Sequence, residues 1–95
     1  LTDYFDPRAE QEYRQTITNI PHVVKVVELK AHYKGNVVTP DASVMVNAKK
    51  KLLKSFQLSE HIENVMREKF GIIDTDISFV PDPHSFSDKD IFGEF

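Results

Sequence analysis

Residues 22–47, "HVVKVVELKAHYKGNVVTPDASVMVN", leave the backbone little choice. Two runs rich in β-branched residues are separated only by Lys34, Gly35 and Asn36, and so short a link implies an antiparallel hairpin. Gly35 and Asn36 both tolerate positive φ. Alternation along the first run puts Val23, Lys25, Val27, Leu29, Ala31 and Tyr33 on one face, and Val24, Val26, Glu28, Lys30 and His32 on the other. Pro40 interrupts the second run and removes a ladder donor, so an edge position or a bulge is expected there.

Helical spacing flanks the hairpin on both sides. Asp6 is placed to cap a first helix and Pro7 to occupy its first position, with Ala9, Tyr13, Ile17 and Ile20 as the apolar stripe and Pro21 as the stop. The second helix carries Leu58, Ile62, Val65, Met66 and Lys69 or Phe70 along one face, with Gly71 as its terminator. "IIDTDISFVP" reads as a third strand, with Ile73, Thr75, Ile77 and Phe79 on one side and Pro81 ending it. The order is α-β-β-α-β. It predicts an α+β fold, a ferredoxin-like αββαβ open-faced sandwich whose small sheet has two helices on one face. Such a sheet keeps a bare edge and an uncovered face, which favours pairing with a second copy.

With 95 residues there is room for one core. No stretch approaches a membrane span and no signal peptide is evident, yet the chain opens at Leu1, as a piece of a longer protein would. The lack of cysteine excludes disulfides and thiolate metal sites. The net charge of −3 hides an asymmetry: "KKKLLK" at 49–54 has no acid, whereas residues 71–95 hold six acids against Lys89. Lys49, Lys50, Lys51 and Lys54 read either as a solvated face or as a patch for lipid headgroups or an acidic partner. Nucleic acid is excluded as a partner by the acidic balance and by the absence of aromatic residues among the lysines. No nucleophile triad or glycine-rich phosphate loop is present, so no enzyme is expected, and Asp74 and Asp76 read as solubilising acids.

The segments resemble a known family in order and spacing. "ITNIPHVVKVVELKAHYKGN" is similar to the stretch of cation diffusion facilitator transporters that runs through an Ile/Val-Pro-Gly-Val turn into a strand. "VNAKKKLLKSFQLSEHIENVMREKFGIIDTDISFVPDP" resembles the rest of the same cytoplasmic domain, and "LTDYFD" the segment that leaves the last membrane helix. The resemblance implies a linker at 1–6, a dimerisation domain at 7–83 and a C-terminal tail at 84–95. The tail would be either disordered or docked by Phe86, Ile91, Phe92 and Phe95. It also implies a homodimer attached to the transmembrane domain of the same chain, on the cytoplasmic side of the cell membrane, the fragment itself being soluble.

In zinc-type members of that family, metal binds at the subunit interface. Carried over residue by residue, the first-strand histidine falls at Val27, the second-strand histidine at Ser43 and the helix histidine at Phe56. The strand-end His-x-Asp falls at Val80 and Asp82. Only the aspartate survives, so the usual interface zinc site is not expected. Val27, Phe56 and Val80 would make an apolar patch that holds the dimer without metal. Two readings stand for Asp82 and His84. Bracketed by Pro81 and Pro83, they would point the same way from an extended chain and share one divalent cation, manganese or zinc, across a dimer axis. Alternatively, Asp82 caps the strand end and His84 is a solvated loop residue. Among the other histidines, His22 stands at the family's glycine position and is expected to be exposed. His32 shares a face with Glu28, and His61 lies beside Glu60 and near Asn64 on the solvated side of its helix.

The function the resemblance implies is a dimerisation and regulatory domain of a divalent-cation efflux transporter working as a proton antiporter, with manganese preferred because the zinc histidines are missing. A metal-sensing version through Asp82 and His84, and a freestanding ferredoxin-like ligand- or protein-binding module, are the alternatives.

Overall fold

A computed structural model describes residues 6–49 and 52–85. Leu1–Phe5, Lys50, Lys51 and the tail with Phe86, Ile91, Phe92 and Phe95 lie outside the described residues, and with them most of the expected linker.

Helix α1 spans Pro7–Thr18 and starts as its sequence dictates. The Asp6 carboxylate accepts the Arg8 N–H at 3.1 Å, Pro7 occupies the first turn, and Glu10 faces the positive end of the helix dipole. Asn19 caps the other end, two residues before the stop that Pro21 enforces. The chain then reverses through Ile20–Val23. The Val23 N–H donates to the Ile20 carbonyl at 3.2 Å, with Pro21 second and His22 third at φ 77°. This is the arrangement of a type II turn, whose third position prefers glycine.

Strand β1 (Val23–Lys34) pairs antiparallel with β2 (Val37–Asn47) through a two-residue turn. Of its two turn residues only Gly35 takes positive φ, at 65°. Strand β3 (Asp76–Asp82) lies parallel to β2, giving the order β1-β2-β3, and helix α2 (Leu52–Phe70) makes the crossover between them. The αββαβ expectation is met. One core joins Ile17 and Ile20 to Val26 and Leu29 of β1, to Ala42, Val44 and Val46 of β2, and to Leu58, Ile62 and Met66 of α2. Both helices therefore cover the same sheet face. Ile17, Ile62 and Met66 are fully buried, and burial of this kind contributes roughly 1.5–3 kcal/mol per side chain. Gly71, at φ 70°, closes α2 by donating its N–H to the Arg67 carbonyl at 2.9 Å.

Strand details correct the sequence reading in four places. The alternation expected along β1 breaks twice, because the register slips between Val23 and Lys25 and again between Val26 and Glu28. The core face of β1 is consequently Val23, Val26, Leu29 and Ala31, while Val24 and Val27 are the extra residues of two bulges and lie exposed. Pro40 belongs to the central strand and is fully buried. It sits one residue before the β2–β3 ladder begins at Asp41, so β2 has a single neighbour there and the lost N–H is tolerated. Strand β3 opens at Asp76, which leaves Ile73 68% exposed in the connection and Thr75 buried ahead of the strand. Pro81 continues β3 opposite Val46 instead of ending it, as a sheet-edge strand permits.

Candidate dimer face and metal positions

Most of the positions to which the resemblance carried metal ligands lie on or beside the sheet face turned away from the helices. Because Ala42, Val44 and Val46 point into the core, Ser43, Met45 and Asn47 point outward, and the parallel register sets Ser78, Val80 and Asp82 beside them. The Ser43 and Ser78 hydroxyls meet at 3.2 Å, and Met45 and Val80 form a half-buried apolar pair. Val27 bulges out of β1 next to the Glu28–Ser43 pair and is 47% exposed. Phe56 does not join this group within one protomer. It lies on α2, which packs on the opposite sheet face, and is 61% exposed.

At the end of β3 the chain does not stay extended. Residues Pro83–Ser85 form a 3-10 turn. Asp82 Oδ1 accepts the His84 N–H at 2.9 Å, while Ser85 Oγ donates to the Asp82 carbonyl at 2.6 Å and accepts the Ala48 N–H at 2.8 Å. These bonds correct the premise that Asp82 and His84 project in parallel from an extended segment. The Asp82 carboxylate caps the turn and His84 is exposed.

Among the described residues no three His, Cys, Asp or Glu side chains come together in a way that could hold a metal ion. Val27, Phe56 and Val80 offer no donor atom, which leaves the Ser43 hydroxyl and the Asp82 carboxylate, fewer ligands than zinc takes within one protomer.

His32 is satisfied from across the hairpin. Its Nε2 lies 3.3 Å from Asp41 Oδ2, whereas Glu28, which shares a face with it in the sequence alternation, pairs with Lys30 at 3.1 Å. Asp41 was legible in principle: a two-residue turn at Gly35 and Asn36 sets His32 opposite Thr39 and diagonal to Asp41. His61 and His22, distant in sequence, line one cleft. Asn64 turns instead to Arg67 Nη1 at 3.0 Å.

An αββαβ sheet with one face left uncovered among the described residues defines the class, and the comparisons define the family. The chain belongs to the family described as "Cation efflux protein, cytoplasmic domain", whose model matches residues 5–79. It is 36% identical over 72 residues to the manganese efflux system protein MneS of Bacillus subtilis (strain 168), which covers 76% of the chain and 25% of that relative. The chain thus spans a quarter of that relative's length. The fold is that of the MamM C-terminal domain, with a TM-score of 0.70 at 17% identity over 79% of this chain and 96% of that one. An aspartate-to-asparagine variant of the same domain in a nickel form gives 0.72 at 15% identity over 81% and 99%. Among the described residues no helix is long and apolar enough to cross a membrane.

Proposed function

We propose that the chain is the dimerisation and regulatory domain of a divalent-cation/proton antiporter that exports manganese, and that its self-association does not require a bound ion. The observation that carries this reading is the chemistry of the family metal positions. Val27, Phe56 and Val80 are apolar, two of them about half exposed or more in a single protomer, and Ser43 is engaged with Ser78. Exposed apolar side chains on an uncovered sheet gain by burial against a second copy. Phe56, on the far side of the domain from the sheet face, supports an interface that meets more than one surface of each protomer. The likeness to MneS supports manganese as the exported ion. Membership of a family of cytoplasmic efflux domains favours a transporter's domain over a freestanding module.

A metal-sensing version keeps one point in its favour: Asp82 stands where the resemblance expects a carboxylate ligand, with the exposed His84 two residues on. Binding there drives closure only if ions prefer the paired state. Sedimentation velocity separates the readings. A dimer in chelator supports the apolar interface. Pairing that appears only with manganese or zinc, and is lost in Asp82→Ala and His84→Ala, supports the sensor. A monomer at high concentration under both conditions overturns both.

A further inference from the structure

Val26 and Leu29 are both buried although they stand three residues apart, an odd spacing that a regular strand sends to opposite faces. The bulge between Val26 and Glu28 reconciles them. There β2 advances one residue, from Val44 to Ser43, while β1 advances two, so Val27 is left between two ladder pairs. Strand pairing does not aim a residue so placed. A second hold comes from α1. Arg14 Nη1 donates to the Val26 carbonyl at 3.0 Å, and its Nη2 lies 3.5 Å from Glu10 Oε1, one turn earlier on the same helix. Ile17, three residues on, is fully buried in the core cluster that also takes the Val26 side chain. The helix thus engages Val26 twice, at its oxygen through Arg14 and at its side chain through the core.

That oxygen belongs to the rigid peptide plane joining Val26 to Val27. Holding it fixes ψ of Val26 and φ of Val27, the two torsions that set the direction in which the Val27 side chain leaves the strand. A guanidinium suits the task, since one planar fork serves a carboxylate and a carbonyl together, and its bond to the carbonyl is charge-assisted. We infer that Arg14 is a positioning residue for self-association: from α1 it orients the bulge peptide so that Val27 meets a second copy, and the placement of α1 is thereby coupled to pairing. The inference rests on the reading that this sheet face is the dimer face. An ordinary tie between helix and sheet would stabilise the protomer alone, whereas a positioning residue acts through Val27.

The test measures self-association of the 95-residue chain by sedimentation equilibrium, with urea denaturation confirming that each variant is folded under the same conditions. Arg14→Met keeps the apolar stem and removes the donor, and should weaken pairing about tenfold, the scale of a lost hydrogen bond to a charged group. Arg14→Lys retains a donor and should recover part of the loss. Glu10→Gln leaves the bond to Val26 in place and should pair as the wild type does. The deciding comparison is Arg14→Met in a Val27→Ala chain, where its effect should fall below about twofold because the side chain it positions is gone. A wild type that stays single at high concentration overturns the dimer reading itself, and this role with it. A wild-type dimer whose Arg14→Met variant pairs equally well, or loses the same factor with and without Val27, overturns the role of Arg14 alone.

Discussion

Asp82 Oδ1 accepts the backbone N–H of His84 at 2.9 Å, so the carboxylate that the sequence offered as a metal ligand caps a turn. Removing the cap separates this role from ligation. Asp82→Ala is expected to cost about 1 kcal/mol, as loss of a capping side chain does, whereas Asp82→Asn, an equally good cap, should change stability little. Urea denaturation of the two variants reads the difference. Manganese added to wild type and to Asp82→Asn should leave the melting temperature unchanged in both, since a ligand that does not bind the native state cannot stabilise it.

His22 holds a left-handed backbone at φ 77° without being glycine. For an L-residue that conformation costs roughly 1–2 kcal/mol, partly offset by the entropy glycine loses on folding. His22→Gly should therefore raise stability by up to about 1 kcal/mol, and His22→Val should lower it, because a β-branched side chain fits that region worst. Gly71→Ala tests the same physics at the end of α2. The added methyl meets no atom within 4 Å, so its cost, about 1 kcal/mol, is backbone strain alone. Chemical denaturation midpoints decide all three.

Ile62 and Phe56 lie on one helix and should behave oppositely. Ile62 is fully buried, and Ile62→Ala should cost about 2–5 kcal/mol. Phe56 is 61% exposed, so Phe56→Ala should leave protomer stability nearly unchanged while weakening self-association. Thermal melts at low concentration, set beside sedimentation equilibrium, resolve the two effects.

Val27 and Val80 lie outside the core cluster, so a carboxylate at either is compatible with the fold. In a paired state it would be buried without a partner, at a cost of several kcal/mol. Val27→Asp and Val80→Asp should each weaken dimerisation roughly 100-fold or more, in chelator as in metal. Unchanged association in both variants would place the interface elsewhere.

The helices were readable along the chain because their signals are local. Asp6 and Pro7 start α1 within three residues, Gly71 ends α2 with its own φ, and Leu58, Ile62 and Met66 show the buried face through spacing alone. The hairpin turn was equally plain at Gly35. The turn after Asp82 was harder to read. Two prolines suggest an extended segment, but the bonds that bend it come from Ser85 and from Ala48, which is distant in sequence.

The sequence by itself determined the order of elements, their capping and the helical core faces, because each depends on residues within a turn or two of one another. Tertiary structure alone decided which face of β1 is buried. A bulge is a mismatch between two strands, so nothing in β1 on its own announces that Val24 and Val27 are extra residues. Only pairing with β2 turns Val26 inward beside Val44 and pushes Val27 out to solvent.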